Sequence, residues 1–278
     1  MKVTLWGTRW SLAAPGPETV GYGGNTACVE LRSDDGAIVI LDAGTGIRRL
    51  GLTLVGDDRR IDILLSHLHV DHIQGLGFFG PLFEPGREIH IWGPPSTTMG
   101  LRARLARYLS PPLFPVPLRE LPSRLTLHDM PLEPFDVEGL RVDADLVCHP
   151  GSCVGYRIAE DGVTLAYIPD HEPALGARTF PGPPDWLSGY EIARGADLLI
   201  HDAQYTDEEY ADRVGWGHSS ITQAIQFAIA CDVRRLVAFH HDPDHSDDML
   251  DRLCANLVKQ ELPFEFKPGW EGAVFELR

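Results

Sequence analysis

The sequence predicts an α/β fold, and three observations lead there. Apolar runs of strand length recur along the chain, helices with readable caps lie between them, and several runs end in a metal-binding type of side chain. Ile61-Asp62-Ile63-Leu64-Leu65 leads to His67, and residues 140–147 lead to His149 with Cys148 between. Val163 to Ile168 leads to Asp170 after Pro169, Asp197-Leu198-Leu199-Ile200 to His201 and Asp202, and Leu236-Val237-Ala238-Phe239 to His240, His241 and Asp242. Buried strands that deliver donors from their ends bring them together at one edge of a sheet, where open α/β architectures place their chemistry.

In chain order, residues 2–6 and 26–32 read as strands. Between them a glycine- and proline-rich stretch runs from Gly7-Thr8-Arg9 through Pro15-Gly16-Pro17 to Gly21-Tyr22-Gly23-Gly24-Asn25. Glycine at that density suits tight turns or backbone passing close to a ligand. Ala37-Ile38-Val39-Ile40-Leu41 is a short buried strand ending at Asp42, which either braces the histidine motif or caps the next helix. After residues 61–65 a short helix is expected from Ile73 to Gly77, and then a strand over 88–92. An amphipathic helix is expected over 96–109, with Leu101, Leu105 and Leu109 on one stripe. Ser110-Pro111-Pro112-Leu113-Phe114-Pro115-Val116-Pro117 is stiff, and forms a pocket wall or a surface crossover.

Capping-box patterns open helices at Thr206 and Ser220. Ser246-Asp247-Asp248 opens a last helix with Leu250, Leu253 and Leu257 turned inward, and residues 264–266 and 273–277 close the chain as strands. Strand-rich stretches precede helices in both halves, a hint of weak internal duplication. No linker or low-complexity tract interrupts residues 1–278, which read as a single domain.

The densest chemistry is Ser66-His67-Leu68-His69-Val70-Asp71-His72. Its imidazoles and carboxylate are donors suited to zinc, manganese or iron. In an extended chain His67 and His69 point the same way. Asp71 and His72 are adjacent and cannot both join that pair around one ion, so a second metal position is implied. The alternative, a polar turn of hydrogen-bonded histidines, fits poorly with so dense a cluster.

Composition narrows the partners. The protein has 24 basic against 40 acidic residues, a net charge of −16, and no Lys/Arg run longer than two residues. A long polyanion needs a broad basic footprint, so extended nucleic acid is disfavoured, whereas a small anionic substrate held by metals is not. No run approaches the length of a membrane span. The N-terminus reads as a strand rather than a signal peptide, and five cysteines without a C-x-x-C pair argue against a disulfide framework. A cytoplasmic location is the expectation.

His67-Leu68-His69-Val70-Asp71-His72 resembles the H-x-H-x-D-H signature of the metallo-β-lactamase superfamily, with further matches from residue 7 to residue 243. Gly7-Thr8-Arg9, Gly24-Asn25-Thr26-Ala27-Cys28 and Gly217-His218-Ser219-Ser220 carry a closer resemblance to the branch of ribonuclease Z and the cyclic-phosphate phosphodiesterases. The resemblance implies a four-layer αβ/βα sandwich. It implies that His67, His69 and His149 hold one metal and that Asp71, His72 and His240 hold the other, with Asp170 bridging. His240 matches the strand-then-ligand pattern better than His241. The resemblance departs in two places: His201-Asp202-Ala203-Gln204 stands where ribonuclease Z has His-Glu-Ala-Thr, and a short hairpin replaces the tRNA-binding arm between His149 and Asp170.

The function so implied is a dinuclear metal-dependent hydrolase, zinc foremost and manganese or iron as alternatives, that cleaves a small phosphodiester such as a cyclic nucleotide with a metal-bridging hydroxide. Two divalent ions, five neutral imidazoles, two carboxylates and one hydroxide leave about +1 at the centre, which welcomes an anion despite the acidic surface. His218 is the candidate proton donor, oriented by Asp202, or else a helix-capping residue beside Ser219. Asp71 can assist the water as well as bind metal. An acyl hydrolase, thioesterase or lactonase, is the alternative, and a ribonuclease Z-type endonuclease a lesser one. A homodimer is expected from the resemblance.

Overall fold

The computed structural model describes residues 1–131, 133–174, 180, 184–258 and 261–278. Its strands are β1 (Lys2–Gly7), β2 (Cys28–Arg32), β3 (Ile38–Leu41), β4 (Ile61–Leu64), β5 (Glu88–Gly93), β6 (Arg124–Asp129), β7 (Phe135–Val137), β8 (Leu140–Leu146), β9 (Val154–Glu160), β10 (Val163–Ile168), β11 (Leu198–Asp202), β12 (Arg235–Phe239), β13 (Glu265–Pro268) and β14 (Val274–Glu276). They form two seven-stranded sheets, ordered β14-β1-β2-β3-β4-β5-β6 and β13-β12-β11-β10-β9-β8-β7. The helices are α1 (Ile47–Thr53), α2 (Val70–Ile73), α3 (Leu101–Leu105), α4 (Tyr190–Ala193), α5 (Asp207–Ala211), α6 (Ile221–Ala230) and α7 (Asp247–Val258).

The layers follow from which faces are apolar. Leu5, Val29, Leu31, Val39 and Leu41 of the first sheet meet Val142, Tyr156, Leu165, Tyr167, Ile200 and Phe239 of the second in a shared core. The outer face of the first sheet is covered by α1 and α3 through Ile47, Leu50, Leu101 and Leu105. That of the second is covered by α4, α6 and α7 through Ile192, Ala224, Phe227 and Cys254. The result is the expected four-layer αβ/βα sandwich. β3 and β4 are buried at every position, as strands covered on both faces must be.

Several local expectations needed correction. The helix expected over 96–109 is helical only over Leu101–Leu105 and continues as turns; Ser96, Thr97, Thr98 and Gly100 are poor helix formers, and Asp129 Oδ1 accepts the Leu101 amide at its start. Leu101, Leu105 and Leu109 are nonetheless all buried. The helix expected from Ile73 instead occupies Val70–Ile73, followed by a 3-10 turn at Leu76–Phe78. β6 and β7, not anticipated from sequence, sit at the sheet edges, and the half-exposed alternation of β6 blurs its signal. Both capping boxes are formed, by Thr206 with Glu209 and by Ser220 with Gln223. No helix among the described residues is long and apolar enough to cross a membrane.

Candidate metal centre

Strand direction sets the site. β3 and β4 are parallel, so Asp42 and the Ser66–His67 segment leave the first sheet side by side. β10, β11 and β12 are parallel in the second sheet and present Asp170, Asp202 and His240 at the same edge. α2 carries Asp71 and His72, with His69 at its N-cap, and His149 lies in the turn between β8 and β9.

The structure brings all seven predicted donors together in two groups. His67, His69, His149 and Asp170 form one, and Asp71, His72 and His240 the other, each with its ligand-type atoms within 4.8 Å of one another. In the first, His149 Nε2 is 3.2 Å from His69 Nδ1, and Asp170 Oδ2 lies 3.6 Å from His67 Nε2 and 3.7 Å from His149 Nε2. In the second, His72 Nε2 is 3.3 Å from both His240 Nε2 and Asp71 Oδ2. Asp170 Oδ1 belongs to this second group, 3.0 Å from His72 Nε2 and 3.3 Å from His240 Nε2. The two oxygens of one carboxylate are thus divided between the groups.

These spacings suit metal ions. A tetrahedral centre with bonds of about 2.0–2.1 Å has ligand–ligand edges of about 3.3 Å. His67 Nε2 and Asp170 Oδ1 are buried without a well-aligned hydrogen-bond partner, a costly state for polar atoms unless a cation satisfies them. In the first group burial also holds the imidazoles neutral and so able to ligate. It pushes His149 down to about 4 and lowers His67 and His69 below the ordinary imidazole value.

The rings of His72 and His149 and the carboxylate of Asp71 are fixed from behind. His72 Nδ1 contacts Asp42 Oδ2 at 2.8 Å, and the same carboxylate accepts from the Ser66 amide, the Ser66 hydroxyl and the Tyr167 hydroxyl. Asp42 therefore braces the motif, and α1 has no side-chain cap at all. His149 Nδ1 donates to Gly217 O at 2.9 Å, and the Ser11 amide donates to Asp71 Oδ2 at 2.8 Å. Ser11, Asp42 and His240 have positive φ of 54°, 59° and 65°, left-handed conformations that cost non-glycine residues energy and gather at functional sites. His241 is turned away, its Nε2 donating to Gly269 O, so His240 is the member of the pair that faces the cluster.

His218 lies beside the donors. Its ring stacks on His240 with centroids 5.4 Å apart, and its Nδ1 is 2.7 Å from Asp202 Oδ2. Burial, the largest single influence, opposes its charged form, but the carboxylates of Asp202, Asp170 and Asp71 together outweigh it and raise its pKa above the ordinary value. Asp202 is itself held by the amides of His171 and Gln204. Capping of α6 falls to Ser220 and leaves His218 free of that task.

A cavity of about 550 Å3 opens over the cluster and is lined by Trp10, Val70, Pro150 and Trp216 together with His69, Asp71, His149 and His218. The proline-rich segment 110–117 lies elsewhere, with Phe114 packed against Gly77 and Phe78. Sequence reasoning missed Trp10, Trp216 and Glu172. Glu172 is buried and accepts the Tyr210 hydroxyl and the amides of Gly215 and Gly217. Its only sequence signal is a place two residues after Asp170.

A profile of the beta-lactamase superfamily domain matches residues 38–241. The chain is similar to a ribonuclease Z of Gemmatimonas aurantiaca, 26% identical over 259 residues that cover 78% of this chain and 80% of that one. Among solved structures, the metallo-beta-lactamase fold protein YhfI from Bacillus subtilis superposes with a TM-score of 0.70 at 19% identity, covering 99% of each chain. A diphosphatase from the PhnP family also gives a TM-score of 0.70 at 19% identity, over 100% of this chain and 98% of that one.

Proposed function

The chain belongs to the metallo-β-lactamase superfamily and is a metal-binding hydrolase, and from that premise we propose that it is a dinuclear phosphodiesterase of small anionic phosphodiesters, a cyclic nucleotide being the first candidate. His67, His69 and His149 would hold one ion and Asp71, His72 and His240 the other, with one oxygen of Asp170 toward each. Two divalent cations, zinc foremost, would supply positive charge to an anionic substrate and activate water as the nucleophile.

The chain's own residues do the rest. Asp42 and Gly217 O fix the rings of His72 and His149, so the donor set is preorganised. Asp71, anchored by the Ser11 amide, faces the cavity and can orient the attacking water. His218 keeps its Nδ1 proton on Asp202 and, as an imidazolium, delivers the Nε2 proton to the departing alkoxide.

The observation that carries this reading is the Asp202-backed His218 at the cavity wall, a donor placed for a leaving group that needs a proton. Ribonuclease and diphosphatase, the activities named for two of the similar proteins, both act at phosphorus. An RNA endonuclease fits less well. Only the β9–β10 hairpin lies between His149 and Asp170, and the net charge of −16 opposes an RNA footprint. The test is metal-dependent hydrolysis of bis(4-nitrophenyl) phosphate and of cyclic nucleotides, with thioesters and lactones as the control arm. Phosphodiester turnover is expected, and acyl turnover alone would overturn the reading.

A further inference from the structure

Trp216 is an unusual residue to find at a catalytic mouth. It is 55% exposed, although large apolar side chains are ordinarily buried. It lines the cavity, and Trp10, Val70 and Pro150 are the other apolar side chains of the lining. The segment that presents it is firmly held. Gly215 and Gly217 flank it at φ of 88° and 87°, left-handed conformations that suit glycine. The Glu172 carboxylate accepts the Gly215 amide at 2.8 Å and the Gly217 amide at 2.9 Å, while the Tyr210 hydroxyl donates to it at 2.7 Å. A side chain at Gly217 would run into Pro150 and the His149 ring. The chain therefore spends two glycines and a buried carboxylate on holding an indole toward solvent, beside the proton donor.

The indole is also left without an aromatic partner. Trp10 sets its edge against Tyr205, His218 and His240, and no described ring pairs with Trp216. Among the described residues, no lysine or arginine lines this cavity. Away from the donor cluster and His218, the described wall is the two indoles, Val70, Pro150 and Ser11. A free tryptophan face in such a place suits a planar ring, because stacking accepts any flat π-system.

We infer that Trp216 is a specificity-determining residue that stacks a planar aromatic group of the phosphodiester substrate, either a nucleobase or an aryl ester. This inference rests on the phosphodiesterase reading above and adds the class of substrate to it. Glu172 is the positioning residue that keeps the indole in place.

The test compares two five-membered cyclic phosphates of matched reactivity, adenosine 2′,3′-cyclic phosphate and glycerol 1,2-cyclic phosphate, on the metal-loaded protein. Bis(4-nitrophenyl) phosphate serves as the aryl arm. Trp216→Ala is expected to lower kcat/KM for the base-bearing ester, through KM, at least about fivefold more than for the glycerol ester, and Trp216→Phe to recover part of that loss. Loss on the aryl ester alone would assign the ring to an aryl group rather than a base. A binding readout runs beside turnover. Adenosine monophosphate is expected to quench tryptophan fluorescence where inorganic phosphate does not, and Trp216→Ala to remove most of that quenching. Equal loss on both cyclic phosphates, with unchanged quenching, would overturn the stacking role and leave the phosphodiesterase reading standing. Quenching that depends on Trp216 without turnover of any phosphodiester would keep the subsite and overturn that reading instead.

Discussion

Nδ1 of His218 stands 2.7 Å from Oδ2 of Asp202, and both side chains are buried beside the donor cluster. The contact fixes which nitrogen faces the cavity and raises the pKa of the ring. If His218 is the acid, His218→Ala lowers kcat by roughly 100-fold or more while bound metal, measured by elemental analysis, is unchanged. The sign of the pH effect follows from the raised pKa. The working form is the imidazolium, so activity falls as pH rises through that value. Asp202→Asn removes the largest of the charges that raise it and leaves burial, which lowers it, opposed only by the more distant Asp170 and Asp71. The alkaline limb of kcat/KM should then move to lower pH. A limb that stays in place would separate Asp202 from the titration.

Asp42 couples the two sheets at the site. Its carboxylate accepts the Tyr167 hydroxyl from β10 and contacts Nδ1 of His72 on the other side. An acceptor behind a ligating imidazole typically contributes 10- to 100-fold in metal affinity, so Asp42→Asn is expected to weaken one ion by about that factor. The larger loss should fall on the Asp71–His72–His240 group, because His72 contacts Asp42 directly whereas His67 Nδ1 reaches it only through the Ser66 hydroxyl. Competition with a chromophoric chelator would resolve two affinities, and equal weakening of both would contradict the assignment. Tyr167→Phe, which keeps the carboxylate, should be milder.

The part of this site that was legible in the sequence is the part delivered by strand ends. His67, Asp170, Asp202 and His240 each follow an apolar run, and a strand that is buried on both faces can place its next polar residue only at the sheet edge. Asp42 was ambiguous because a carboxylate after a strand suits a brace and a cap equally, and only its contact with His72 decides. Trp216 and Glu172 were not legible. Their pairing joins two segments through backbone amides of Gly215 and Gly217, and a backbone amide carries no side-chain signature to read. Helix α3 was overextended because its leucine stripe is real, whereas the stripe continues through turns that periodicity alone does not separate from helix.

Glu172 tests how far the Gly215–Gly217 segment depends on one carboxylate. In Glu172→Gln an amide group replaces one acceptor oxygen, so one of the N–H or O–H donors now satisfied faces another donor. A buried donor left unpaired costs about 1–3 kcal/mol, so a fall in Tm is expected. Stability alone does not identify a positioning role. Gly217 O also orients His149, so the affinity of the His67–His69–His149 group should fall as well. Tyr210→Phe removes only the hydroxyl partner and should lower Tm less, with metal affinity retained.

Behind the site, Nδ1 of His171 lies 2.8 Å from Nε2 of His201, and both rings are fully buried against Phe227. Burial pushes His201 down to about 4. It also lowers His171 well below the usual imidazole value, and repulsion from His201 adds to that. Above about pH 6.5 neither the folded nor the unfolded chain protonates these rings, so the pair adds no pH dependence there. Below it the unfolded chain takes up protons that the folded one refuses, and stability falls as pH drops from about 6.5 toward 4. Each such ring contributes a slope of about 1.4 kcal/mol per pH unit over that window. Urea midpoints measured from pH 7 to pH 4 should therefore decline, and His201→Asn should remove about one proton from the slope. An unchanged slope in that variant would mean that His201 gains its proton in the folded state as readily as in the unfolded one.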